Sequence, residues 1–269
     1  MEDHSLAKAY PAIAESIVHI TVTRSSEEYS EPKVTSGTGT IIGFTRTANQ
    51  SLIATARHVL PTHLSDGEQM RVVVRYTASD GSKGQVQEFT ARAGEPPPGV
   101  FWATGTSEKV DVGALMLPPT DSVAGDYGNR HRLPTVVTDT AVPAPATRVA
   151  WAGFPGLVKR EFDEHVLCYF EGSVSALLPS RGLLLIDGHA MPGVSGGPVW
   201  FFDDRAQKVA VVGVVSGYFG YRQPEQFHPD HRLNTADPDR RDRMPGFLVV
   251  QPLIPAMAWI RSAFNVVTR

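Results

Sequence analysis

Apolar and polar residues follow one another with a period of two in several short runs of this chain. In "SIVHITVTR" (16–24) Val18, Ile20 and Val22 alternate with His19, Thr21 and Thr23, the pattern of a strand with one face buried. Further β-rich runs follow in "SGTGTIIGFTR" (36–46), "SLIATARHVL" (51–60), "RVVVRYTA" (71–78), "QVQEFTARA" (85–93) and "DVGALMLP" (111–118). A turn-rich stretch, "PPTDSVAGDYGNRHRLPTV" (118–136), then interrupts the pattern and reads as a connector. A second batch resumes with "TRVAWAGFP", "HVLCYFEGSV", "GLLLIDG", "PVWFF", "KVAVVGVVSGYF" and "GFLVVQP". Two batches of short strands separated by turn signals predict an all-β protein of two packed barrels.

Two segments depart from this rhythm. In "PLIPAMAWIRSAFNVV" Ile254, Met257, Ile260 and Phe264 recur at helical spacing, which predicts a C-terminal helix docked on the second half. Residues 221–246 are polar and proline-rich, and too long for a simple hairpin. They read as a surface loop, either a lid or docking surface or a disordered segment.

Composition narrows the class. A chain of 269 residues that is 42% hydrophobic can bury a sizeable core, and its 24 glycines and 21 prolines fit many short elements better than a helix bundle. The net charge of -3 gives no electrostatic case for nucleic acid or an anionic membrane. Arg240, Arg241 and Arg243 alternate with Asp237, Asp239 and Asp242, as on a solvated loop. Cys168 stands alone, so no internal disulfide is expected, and its apolar setting predicts a small buried side chain. The N-terminal stretch is acidic and lacks the basic flank and apolar core of a signal peptide. No run reaches the roughly 20 apolar residues of a membrane span. A soluble, cytoplasmic protein is the expectation.

Three residues carry the candidate chemistry. His58 follows the strand-like run that ends at Thr55, Asp111 opens the apolar run "DVGALML", and Ser195 lies in "MPGVSGGP". Singly, each has a bland reading: a structural histidine, the polar edge of a strand, a serine in a flexible turn. Together they form a set. A serine hydroxyl needs a base to accept its proton, and the base needs a carboxylate to fix its tautomer and stabilise the imidazolium. Gly193, Gly196 and Gly197 free the backbone around Ser195, and the Gly193 and Ser195 N–H groups are the candidate oxyanion donors. His58 and Asp111 come from the first half and Ser195 from the second, which puts the site in the cleft between barrels.

The ordered set "GTGTIIGF", "LIATARHVL", "DVGALML" and "GVSGGPV" resembles the successive signatures of trypsin-like (chymotrypsin-fold) serine proteases. It is most similar to the bacterial, disulfide-free branch that includes HtrA-like enzymes. "VAWAGFPG" resembles the turn early in that family's second barrel, and "IDGHAMPGVSGGP", with Asp187, resembles the segment leading to its nucleophile. The likeness runs from about Ser16 onward. It implies one peptidase domain over 1–269 with two six-stranded antiparallel barrels: 16–120, a connector at 121–140, and 141–254, closed by a helix at 255–269. It implies a serine endopeptidase with Ser195 as nucleophile, His58 as general base and acid, and Asp111 orienting His58. Ser216, Gly217 and Tyr218 would offer backbone groups to an extended substrate. His189, Ala190, Tyr218, Gly220 and Gly246 would line the pocket for the side chain before the scissile bond. No cofactor or metal is implied. The partner is a polypeptide substrate, with regulation assigned to a partner protein or a neighbouring domain.

Departures from the family pattern refine these expectations. Val194 replaces the aspartate that receives a new N-terminal ammonium in trypsin-like zymogens, so activation by N-terminal cleavage is not expected, and Val194 should pack into the second barrel. His189 stands at the pocket floor, where it either hydrogen-bonds a polar or acidic side chain or points away and leaves a pocket for small or apolar ones. His228, Asp230 and His231 have ligand-like spacing but read as surface residues, because a proline-rich loop offers no rigid framework for a metal. Two other readings compete with the endopeptidase: a catalytically silent protease-fold module that binds peptides or acts as a scaffold, and a hydrolase of esters or of a single protein.

Overall fold

The structure, a computed structural model, describes residues 5–44, 50–61, 63–78, 81–93, 95, 100–104, 110–117, 142–188, 191–203, 208–220 and 246–264. The first half holds α1 (Ser5–Glu15) and strands β1 (Ile17–Ser25), β2 (Lys33–Phe44), β3 (Ser51–Thr55), β4 (Gln69–Thr77), β5 (Lys83–Arg92), β6 (Phe101–Thr104) and β7 (Gly113–Leu117). The second holds β8 (Arg148–Gly153), α2 (Gly156–Phe162), β9 (Cys168–Leu178), β10 (Leu183–Asp187), β11 (Pro198–Asp203), β12 (Lys208–Gly220), β13 (Gly246–Pro252) and α3 (Leu253–Phe264). All paired strands are antiparallel.

The all-β, two-unit architecture expected from the strand pattern is present. The second half is a closed six-stranded barrel in the order β10-β13-β12-β11-β8-β9. The first half is a seven-stranded sheet, β5-β4-β1-β2-β3-β7-β6, curled as a half-barrel instead of a closed barrel of six. The additional strand is β6, whose four residues, "FWAT", are too few to show a period. The connector expected at 121–140 lies outside the described residues.

Three layers of apolar side chains hold the molecule together. Val18, Ile20, Val22, Val72 and Val74 fill the first half, and Val149, Trp151, Leu184, Val199 and Val250 fill the second. A third layer lies between the halves, where Leu52, Ala54, Ala114 and Met116 meet Ala150, Ala152, Trp200 and Val214. This layer explains the unbroken apolar runs. In β3, Ile53 faces the first core while Leu52 and Ala54 face the interface. In β7, Leu115 and Leu117 point one way and Ala114 and Met116 the other. A strand buried on both faces has no polar side to show.

Both terminal helices enter the middle layer. Leu253, Ala256, Met257 and Ile260 of α3 and Leu6 and Ile13 of α1 are buried in it. The C-terminal helix packs against β12 of the second half, and its buried face joins the middle layer. Ile254, counted in the helical stripe, is 37% exposed, and the buried face begins instead at Leu253. Cys168 is half-buried at the start of β9 rather than enclosed, and its partial burial raises the thiol pKa, so little thiolate forms at neutral pH.

Candidate active site

His58 owes its position to the end of β3. The β3–β7 register pairs Thr55 with Gly113, and its continuation sets Arg57 opposite Asp111, whose carbonyl accepts the Arg57 N–H at 3.4 Å. The chain then tightens into a single 3-10 turn, Arg57–Val59, which buries Val59 and leaves the His58 side chain about half exposed. His58 Nδ1 lies 3.4 Å from Asp111 Oδ2. The same oxygen accepts the Ser216 hydroxyl at 2.6 Å. Burial pushes the Asp111 carboxyl pKa up, but the hydrogen bonds from His58 and Ser216 and the positive charge of His58 and Arg57 outweigh it. The group is held below the usual carboxylate range. In the neutral imidazole, an ionised Asp111 selects the tautomer with the proton on Nδ1 and the lone pair on Nε2.

Ser195 sits on a turn fixed from both halves. Gly193 (φ +96°) and Gly196 (φ +89°) flank it in the left-handed region. The Val194 N–H donates to Met191 O at 3.1 Å, that of Gly196 to Val215 O at 2.7 Å and that of Gly197 to Val194 O at 2.9 Å. Strand β2 grips the turn from the first half. The Thr38 N–H donates to Ser195 O (2.8 Å), the Thr38 hydroxyl to Gly193 O (2.8 Å) and the Thr40 hydroxyl to Gly196 O (3.1 Å). The Phe154 N–H donates to Thr38 Oγ1 at 3.1 Å, so one buried hydroxyl ties three segments.

These contacts bring the serine turn to the histidine turn. A Cβ on Gly37 would lie 2.5 Å from a Val59 methyl and 3.1 Å from Ser195 O. A Cβ on Gly196 would collide with Thr38 O and Thr55 Oγ1 and lie 2.9 Å from Ala56 N. The residue after Ser195 thus abuts the two residues that end two positions before His58, and Gly37 is wedged between Val59 and Ser195. Among the described residues, the N–H groups of Gly193 and Ser195 donate to no backbone carbonyl, whereas those of Val194, Gly196 and Gly197 all do. Ser195 itself is half-buried.

The other expected site residues are only partly described. Ser216, Gly217, Tyr218 and Gly220 lie on β12, and Gly246 opens β13 as the register partner of Gly220. A bulge between Val215 and Gly217 throws Ser216 out of register with β13, and its hydroxyl reaches Asp111. The sequence predicted only backbone contacts from Ser216. Strand β11 pairs with β12 only as far as Pro198↔Val214, so 216–220 is paired on the β13 side and has no strand among the described residues on the other. His189 and Ala190 lie outside the described residues, as do 221–245 of the long loop with His228, Asp230 and His231. Among the described residues no group of three or more His, Cys, Asp or Glu is arranged to hold a metal.

Val194 is fully buried in the second-barrel core, as its apolar character predicts. Asp187 is exposed at the end of β10. Thr38, Thr40 and Gln251 escaped sequence reasoning. The only signal was the alternation of small hydroxylated residues with glycine in "TSGTGT", which reads equally as a flexible polar strand. Among the described residues no helix is long and apolar enough to cross a membrane. Comparison of the chain with protein-family models and with curated proteins finds no match.

Proposed function

We propose that this protein is a serine endopeptidase of the trypsin-like type that cleaves polypeptides through an acyl-enzyme. The observation that carries the reading is the shared Asp111 Oδ2, which receives both His58 Nδ1 and the Ser216 hydroxyl, together with a serine turn whose Gly193 and Ser195 N–H groups donate to no backbone carbonyl among the described residues. In this reading His58 Nε2 takes the Ser195 hydroxyl proton as Oγ attacks the scissile carbonyl carbon. The carbonyl oxygen becomes an oxyanion received by the Gly193 and Ser195 N–H groups. Collapse of the tetrahedral intermediate breaks the C–N bond, His58 gives its proton to the leaving amine, and an acyl-Ser195 ester remains. Water, deprotonated by His58, then hydrolyses the ester and regenerates the serine. Asp111 stays ionised throughout and stabilises the imidazolium.

Strand β12 at 216–220, which pairs with β13 and carries the Ser216 hydroxyl to Asp111, supports an extended polypeptide as substrate, bound by strand addition. A buried Val194 supports an active site that needs no N-terminal ammonium. A chain with a single cysteine, and so no internal disulfide, is compatible with work in the reducing cytoplasm, where a partner protein or a narrow substrate range would restrain the activity. Incubation with a defined peptide library, read by mass spectrometry, tests the proposal. The wild-type protein yields cleavage products with new amino termini, and Ser195→Ala lowers turnover by about 10⁴ or more. Unchanged cleavage by the variant, or a folded wild-type protein that cuts no peptide, contradicts it and favours a peptide-binding module.

A further inference from the structure

The carboxylate of the proposed triad is held by more than its side-chain partners. Asp111 belongs to the first half, yet its own N–H donates to the side-chain oxygen Oε1 of Gln251, on β13 of the second half, at 3.3 Å. The other end of that amide, Nε2, donates to the carbonyl of Gly182, in the turn between β9 and β10, at 3.1 Å. Gln251 is only 1% exposed, on a strand whose other buried side chains, Leu248 and Val250, are apolar. A buried amide in such a place is costly unless both ends are satisfied, and these two bonds satisfy them.

The two bonds also fix a direction. Gly182 anchors Nε2, which leaves Oε1 aimed at the Asp111 N–H. The Asp111 carbonyl is held in turn by the Arg57 N–H, one residue before His58. The main chain of Asp111 is therefore clamped on one side by the second barrel and on the other by the histidine turn. Its carboxylate is meanwhile held by Ser216 of β12, the neighbour of β13.

We propose that Gln251 is a positioning residue: it transmits the seating of the second barrel to Asp111, and so sets the His58–Asp111 geometry on which Ser195 activation depends. This rests on the endopeptidase reading and extends it to a residue that touches neither substrate nor the reacting atoms. Its loss leaves the Asp111 N–H without this partner and lets the 110–112 segment shift. Misplacement of a catalytic group by about 1 Å costs about a hundredfold in rate.

The test compares wild type, Gln251→Met and Gln251→Glu in their rate of labelling by a fluorophosphonate, with thermal unfolding followed in parallel. Gln251→Met removes both bonds at similar volume. The expected result is a labelling rate ten- to a hundredfold lower at every pH, in protein still folded at the assay temperature. In peptide turnover the loss falls on kcat rather than KM. Gln251→Glu carries the sharper signature. Its protonated carboxyl copies the amide, accepting from Asp111 and donating to Gly182, whereas its ionised form has no donor and faces the Gly182 carbonyl. Relative to wild type at the same pH, it should label nearly normally in acid and progressively more slowly as pH rises. Folded Gln251→Met that labels at the wild-type rate overturns the proposal, as does a Gln251→Glu ratio that stays flat with pH. If Gln251→Met fails to fold, the pH dependence of Gln251→Glu decides alone. A wild-type protein that takes no label at all contradicts the endopeptidase reading instead.

Discussion

Gly196 carries more constraint than its place after a nucleophile would require. Its φ of +89° disfavours any side chain, and a Cβ there collides with Thr38 O and Thr55 Oγ1. Gly196→Ala should therefore displace Ser195 from the end of β3 and cost at least 1–3 kcal/mol, roughly the strain expected of an outlying backbone conformation. Urea unfolding and fluorophosphonate labelling, run on the same preparation, check both effects. Val194 and Ser195 show how much one residue's sequence context discloses. The apolar character of Val194 was enough to predict burial in the second core, because a branched apolar side chain next to Ser195 gains most when it leaves water. The role of the Ser216 side chain was hidden, because it depends on a β-bulge that aims its hydroxyl across to Asp111, and no local pattern announces a bulge at a Val-Ser-Gly step.

Strand β2 is the element on which the site depends most. Its alternation places Thr38 and Thr40 on the face toward the serine turn, and the Thr38 hydroxyl accepts from Phe154 while donating to Gly193 O. Thr38→Val keeps the shape and leaves two buried groups without partners. It should cost about 1–3 kcal/mol and lower the labelling rate, since the Gly193 carbonyl is no longer held. A variant of wild-type stability and wild-type labelling would remove β2 from the account. Strands were legible in the sequence because alternation or an unbroken apolar run marks each of the long ones. The face assignment of the unbroken runs was not, because an apolar run fits any burial on both sides, and only tertiary packing divides Leu52 from Ile53 or Ala114 from Leu115. The helix α1 was missed although Leu6, Tyr10, Ile13 and Ala14 recur at helical spacing, because Pro11 stands inside the run, where a helix interior is not expected.

At the scale of the molecule, the two halves meet through more than apolar contact. His19 of β1 is 1% exposed; its ring lies 4.1 Å from that of His165 and meets Phe154 edge-on at 5.2 Å, both on the second half. Its Nε2 is 2.8 Å from Ser36 Oγ, and Arg75 approaches its other nitrogen. Burial, with the nearby His165 and Arg75, lowers its pKa to about 3. The folded protein therefore holds His19 neutral where an unfolded chain would bind a proton. Between about pH 6.5 and pH 3 the unfolded state gains protons that the folded state cannot, so stability is retained above this window and lost as pH falls through it. His19→Gln should reduce that loss, by roughly 2–3 kcal/mol at about pH 4.5 relative to the wild type, with little difference in pH dependence above pH 7. Unfolding midpoints at the two pH values measure it, and parallel acid sensitivity of both proteins would show that His19 is not the responsible group.

The division of the proposed triad between the halves ties all three scales together. His58 and Asp111 are set by the β3–β7 register, Ser195 by a turn of the second barrel, and Ser216 and Thr38 each reach across the boundary. The most direct test of this account is the intact mass and peptide map of the protein after reaction with a fluorophosphonate. The account predicts one adduct, on Ser195, which disappears in Ser195→Ala and forms far more slowly in His58→Ala. A folded protein that takes no adduct, or one labelled elsewhere with Ser195 untouched, would contradict it.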